Sequence, residues 1–176
     1  PPTSTRVAVI IDLRHDEMAE EISAYLSNIP VSFSLYVTTH SDARERLEEY
    51  LSKKFPLSTL DIRSVPNRGL DIAPFIIEFG AICKKYDLVC KINSERVMRY
   101  IQQRPDHSFG LKNLLGSKEL ITTLFEIFEA NADIGLIHPK TSTARVAHFL
   151  NNTFWGSNGD LASELADKLR LKLPTN

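Results

Sequence analysis

The chain has 176 residues, with 21 basic against 22 acidic side chains, a formal net charge of −1, and 43% hydrophobic and 24% charged residues. Such values describe an ordinary globular protein rather than a disordered one, and no whole-chain electrostatic feature points to nucleic acid. No apolar run approaches the roughly 18 residues of a membrane span, so no transmembrane segment is expected. Cys83 and Cys90 are too few for a disulfide framework and lack metal-ligand spacing. Both are expected to be small buried residues in a reducing, cytoplasmic compartment. The opening Pro1-Pro2-Thr3-Ser4-Thr5 and the end at Pro174-Thr175-Asn176 read as the edges of a piece of a longer protein.

Along the chain two periodicities alternate. Val7-Ala8-Val9-Ile10-Ile11 is a continuous apolar run, as expected of a strand covered on both faces. Asp16 is placed to cap a helix with Met18, Ile22, Tyr25, Leu26 and Ile29 on one side, ended near Pro30. Phe33 to Thr39 reads as a second strand. Ser41 stands at the cap of a second helix, with Ala43, Leu47, Tyr50, Leu51 and Phe55 inward.

Leu60 to Val65 is the third strand, followed by a turn at Pro66-Asn67-Arg68-Gly69 and a helix after Asp71. That helix is expected to bury Ile72, Phe75, Ile76, Phe79, Ile82, Cys83 and Tyr86; Pro74 is tolerated in its first turn. Leu88 to Ile92 is a fourth strand. A polar stretch from Asn93 to Phe109 precedes a helix capped by Ser117, with Leu120, Ile121, Leu124, Phe125 and Phe128 inward. Ile134-Gly135-Leu136-Ile137 reads as a fifth strand, and Asp160 to Leu171 as a final amphipathic helix.

The first three strands recur about 27 residues apart, each followed by one helix, which is the βαβ signature. The expectation is a single domain over residues 1–176: a three-layer α/β/α fold on a mainly parallel sheet. In such sheets ligands bind beyond the carboxyl ends of the strands. Four polar segments lie there: Asp12 to His15, Thr38 to His40, Asn67 to Asp71, and Lys91 to Glu95.

The Asn67–Asp71 segment carries the most information. A glycine between strand and helix permits a tight turn and close backbone approach to a ligand. The following helix would aim N–H groups at the same space, which suits a phosphate. Arg68 can add a bidentate contact, and Asp71 can cap the helix or grip a sugar hydroxyl. A simple turn with a helix cap accounts for Gly69 and Asp71 equally well.

Lys91, near the end of an apolar strand, reads either as a diphosphate ligand or as an edge-facing lysine. Asn93-Ser94-Glu95 resembles a degraded Asp-x-Asp metal site with only one carboxylate, so no metal ligand is assigned. No cofactor is expected to be required, beyond a weak contribution from Mg²⁺ or Mn²⁺. The five histidines show no zinc spacing. His138, after the fifth strand, is placed at the same sheet end as a candidate base. Trp155, beside Asn151, Asn152 and Gly156, fits either a sugar-stacking ring or ordinary core packing.

Taken together, Val65-Pro66-Asn67-Arg68-Gly69-Leu70-Asp71-Ile72-Ala73-Pro74-Phe75, Tyr86 to Ile92, Leu114-Leu115-Gly116-Ser117 and Ile134 to Ile137 resemble the rhamnan synthesis protein F family. Ala8 to Leu26 and Phe33 to Thr39 fit it too, in order along nearly the whole chain. The resemblance implies a glycosyltransferase with a GT-A-like sheet, acting in bacterial cell-surface polysaccharide or lipopolysaccharide assembly. It implies a donor such as dTDP-rhamnose and a lipid-linked polysaccharide acceptor, met in the cytoplasm or at the inner face of the membrane, with peripheral membrane association through the full-length protein.

Carried over, Asn67, Arg68, Gly69 and Asp71 would form the nucleotide-sugar loop, with Lys91 and Asn93 close by. Asp71, Asp12 and His138 are candidates for the base that deprotonates the acceptor. The sequence departs from the family's pattern at Asn93-Ser94-Glu95, where His-Thr-Lys is usual, and a downstream Pro-x-Gly-Ser-Met-Phe-Trp-like stretch is absent. Two rival readings are a non-catalytic carbohydrate- or nucleotide-binding module and a small α/β enzyme acting on phosphorylated substrates.

Overall fold

Four strands form one all-parallel sheet in the order β3-β2-β1-β4. They are β1 (Val7–Asp12), β2 (Phe33–Thr39), β3 (Leu60–Ser64) and β4 (Leu88–Asn93). The computed structural model describes residues 5–40, 42–94, 106–139 and 159–171. The chain divides into two units, residues 1–138 and 139–176, each described by itself.

All six residues of β1 are buried, as its unbroken apolar run requires of a central strand. Val9 and Ile11 point to one face, where they meet Leu35, Val37, Ile62 and Ile92 from the other strands. Two crossover helices cover that face: α1 (Ala19–Leu26), with Ile22 and Leu26 buried, and α2 (Arg44–Lys54), with Leu47 and Leu51 buried. Leu111 and Leu115 of α4 (Asp106–Leu115) and Ile121 of α5 (Lys118–Ala130) join the same core. Asn28, just beyond α1, donates its side-chain amide to the Leu115 carbonyl at 2.7 Å and ties the two helices together.

Ala8, Ile10 and Tyr36 point to the opposite face, where the third crossover, α3 (residues 72–83), seats Phe79 on them. Phe79 is fully buried, with its ring 5.3 Å from that of Tyr36 and the Arg63 guanidinium 4.7 Å from its centroid. Tyr36 also shares a 2.7 Å hydrogen bond with Tyr86, and burial followed by that bond pushes its phenol up to about 12. Helices therefore lie on both faces of the parallel sheet. The fold is three-layer α/β/α, as the βαβ spacing predicts.

Several local expectations are corrected. The helix after Asp71 is not uniform: Phe75–Phe79 forms a π turn between the helical turns Ile72–Pro74 and Gly80–Cys83. The wider turn shifts the phase of the apolar stripe, so Phe75, Phe79, Ile82, Cys83 and Tyr86 face the sheet while Ile72 and Ile76 are exposed. Asp16 does not cap α1. It sits in a 3₁₀ turn, Asp16–Met18, and its carboxylate takes a 2.6 Å bond from Arg46 on α2 instead. Ser117 does cap α5, accepting from the Leu120 N–H at 3.2 Å. Ser41 lies outside the described residues.

The polar stretch before Ser117 hides a helix, α4, that hydropathy did not disclose. Conversely, Ile134 to Ile137 is not a strand; it is irregular, with Gly135 and Leu136 exposed. A four-residue run interrupted by glycine has little β preference of its own, and among the described residues no ladder partner holds it. In the second unit, α6 (Gly159–Leu169) is the expected amphipathic helix, with Leu161, Leu165 and Leu169 along one side. Both cysteines are free thiols: Cys90 packs on the first core and Cys83 on the second. Burial pushes the Cys90 thiol up to about 11.

Candidate functional site

The strand order reverses direction beside β1: the chain winds outward through β2 and β3, then crosses to β4 on the other side. That is a topological switch point, where diverging loops leave a crevice beyond the strand ends. β1 ends at Asp12 and β4 at Asn93, which are partners in register. The crevice between them holds most of the polar side chains of interest.

Asp12 is buried, and both carboxylate oxygens are engaged. Thr38 Oγ1 donates to Oδ1 at 2.8 Å and Arg14 Nε donates to Oδ2 at 2.8 Å. Arg14 spans the crevice. Its Nη1 donates to Asn67 Oδ1 at 2.7 Å and its Nη2 to the Leu70 carbonyl. Lys91 alternates with Ile92 and so leans to the α3 side of the sheet, where its Nζ donates to Asp71 Oδ2. Asn93 Nδ2 donates to the same oxygen at 3.1 Å. Burial by itself raises the Asp71 pKa, but the bonds from Lys91 and Asn93 outweigh it and hold the carboxyl below its ordinary value.

Two basic residues, Arg14 just beyond β1 and Lys91 on β4, thus pin the turn at residues 67–71. The turn has its own backbone reason to exist. Gly69 has φ +71°, Leu70 follows at φ 51°, and a Cβ on Gly69 would overlap the Cβ of Ala73. Glycine is required here by the turn and by the first turn of α3, whatever binds nearby. The expected row of donor N–H groups is thinner than the sequence suggested. Ala73 gives its N–H to the Gly69 carbonyl at 3.0 Å, and Pro74 has none.

Of the residues singled out from sequence, the structure gathers Asp12, Asn67, Asp71, Lys91 and Asn93. Arg68 is exposed on the turn. His138 is exposed in the irregular segment after α5, and the strand expected to carry it to the sheet end is absent. Arg14 and Thr38 were not singled out. The available signal for Arg14 was a cation two residues beyond a fully apolar strand that ends in aspartate. Glu95 and Trp155 lie outside the described residues.

At the end of β4, the described residues Asn93 and Ser94 are engaged by protein partners. Asn93 is turned to Asp71, and Ser94 is buried, its Oγ accepting from the His15 N–H at 3.2 Å. Among the described residues, no three His, Cys, Asp or Glu side chains lie close enough to share a cation. A cavity of about 430 Å³ opens at the other end of the strands, lined by Ile29, Pro30, Phe33, Phe55, Lys54 and Lys118. None of the residues of the crevice borders it.

The chain is a three-layer α/β/α protein built on a four-stranded parallel sheet. The family model described as rhamnan synthesis protein F matches residues 2–176, and the chain belongs to that family. Its role is therefore in rhamnan polysaccharide synthesis. No curated protein and no solved structure matches the chain. Among the described residues no helix is long and apolar enough to cross a membrane.

Proposed function

We propose that the crevice binds the diphosphate of a nucleotide sugar, such as dTDP-rhamnose, and that the domain transfers the sugar to a hydroxyl of a lipid-linked polysaccharide precursor. The observation that carries this reading is the Lys91–Asp71 pair at the mouth of the switch point, in a chain of a polysaccharide-synthesis family. An incoming diphosphate competes with Asp71 for Lys91. When the ammonium moves to the phosphate, Asp71 loses its strongest source of stabilisation as an anion and becomes a better base.

The acceptor oxygen then attacks the anomeric carbon, and its proton passes to Asp71. The bond between that carbon and the diphosphate oxygen breaks, and the nucleoside diphosphate leaves with the electron pair. Lys91 stabilises the negative charge that develops on it. Asp12, whose two oxygens are already engaged, fits the task of aiming Arg14 better than that of accepting a proton. Arg14 holds the turn in position, and Arg68, exposed on that turn, is free to reach the donor's outer phosphate.

Calorimetric titration with dTDP and UDP, followed by turnover of dTDP-rhamnose, tests the reading. Binding that weakens at least about tenfold in Lys91→Ala is expected. Binding without turnover in the full-length protein would favour a non-catalytic module. Perturbations by nucleotide confined to the amino-terminal sheet edge would refute the site.

A further inference from the structure

We propose that the outward face of α3 docks onto a membrane surface rich in anionic headgroups. The face is apolar along its middle: Leu70, Ile72, Ile76 and Ile77 are 62%, 52%, 60% and 76% exposed. Ala81, four residues beyond Ile77, is also exposed. The π turn produces this arrangement, because it turns Ile76 outward while Phe79 fills the core. Three isoleucines of one short helical segment, with Leu70 in the turn before it, leave large apolar side chains exposed close together in the chain, the kind of surface that marks an interaction site.

The charges around the stripe choose the occupant. Between residues 68 and 87 there are three carboxylates, and each is already paired: Asp71 with Lys91, Glu78 with Arg63 at 3.3 Å, and Asp87 with Arg6 at 2.8 Å. The three cations of the same stretch, Arg68 before the helix and Lys84 and Lys85 after it, are exposed and take no part in those pairs. An isoleucine stripe with positive charge at both ends matches a layer of acyl chains beneath anionic headgroups. A second copy of the same face would bring like charges together. Asp71 immediately precedes α3, so docking holds the mouth of the crevice at headgroup level. This inference stands apart from the sugar-transfer reading, since it concerns a different surface and needs no nucleotide.

Vesicle flotation of the 176-residue chain tests it, using phosphatidylcholine alone and phosphatidylcholine mixed with phosphatidylglycerol. The bound fraction should be at least about tenfold higher on the anionic vesicles and should fall as salt is raised. The double variant Ile76→Glu, Ile77→Glu should lose that binding while dTDP titration is unchanged. Lys84→Glu with Lys85→Glu, which leaves every packed side chain in place, should weaken it as strongly. Equal flotation of wild type and both variants overturns the proposal, as does failure of the wild type to float on anionic vesicles. Concentration-dependent dimers that Ile77→Glu dissolves would assign the face to a second copy and overturn it equally.

Discussion

Lys91 reaches from β4 to the carboxylate of Asp71, and Asn93 joins it on the same oxygen at 3.1 Å, so one acid links the edge of the sheet to the start of α3. Of the ties that close the crevice, this one couples charge to fold most directly.

The Asp71 carboxyl should titrate below its ordinary value of 3.8, and Lys91→Ala should move it upward, because burial is then opposed only by the bond from Asn93 and a backbone hydrogen bond. An acid with a depressed pKa stabilises the folded state above its unfolded value and loses that contribution as pH falls through the folded one. The stabilisation is therefore present above about pH 4 and fades below it. Carbon-detected carboxyl titration, with urea unfolding of both proteins across that range, checks the shift and its sign. An Asp71 midpoint unmoved in the variant would remove Lys91 as its source.

Arg14→Ala should be among the more damaging single changes near the crevice. It strips a guanidinium from Asp12, whose side chain is only 7% exposed, and frees Asn67 and the Leu70 carbonyl at once. Leaving such a carboxylate unpaired costs about 3–5 kcal/mol in comparable buried pairs. Arg14→Lys keeps the charge but not the fork, so it should recover only part of the loss. Urea midpoints for the two variants provide the comparison.

Gly69→Ala should destabilise the fold by about 1–3 kcal/mol, from positive φ and from overlap with Ala73. Adding Ala73→Gly should restore the part due to overlap and leave the part due to φ. If the double variant is no more stable than Gly69→Ala, the contact between these two positions is not what excludes a side chain.

Nucleotide affinity should change by less than about tenfold, ~1.4 kcal/mol, between EDTA and millimolar Mg²⁺ or Mn²⁺. The charge in the crevice comes from Lys91 and Arg14, while Asn93 and Ser94 are committed to protein partners. Lys91→Ala should accordingly weaken binding more than Glu95→Ala. Calorimetry in both buffers decides it: strict metal dependence abolished by Glu95→Ala would restore a metal site after β4.

The strands β1, β2 and β4, and the helices α1 and α2, were legible because each carries an apolar run or stripe of clear period, whereas the π turn in α3 broke the period that its sequence suggested. Ile134 to Ile137 misled for the opposite reason: four residues with a glycine satisfy a strand pattern without supplying the partner that makes a strand. The crevice was legible as a place, since polar residues follow each strand, and Asp12, Asn67, Asp71, Lys91 and Asn93 do meet there. Their pairing was not. Nothing in linear order says that Asp71 will take Lys91 rather than cap its own helix, or that Arg14 will cross to Asn67. Those choices depend on the switch point bringing β1 and β4 side by side.

The π turn at Phe75–Phe79 also bears on how this segment tolerates insertions and deletions. One residue rotates a helix by about 100°. Shortening the segment by a single residue between Phe75 and Phe79 would restore an unbroken helical period and swing the isoleucines toward the sheet. With Phe79 still held by Tyr36 and Arg63, the rotation would fall on the amino-terminal turn and carry Asp71 away from Lys91. The segment is thus intolerant of a one-residue change in length even where its individual side chains face solvent, and chains that preserve the Lys91–Asp71 pair should preserve the residue count from Asp71 to Phe79.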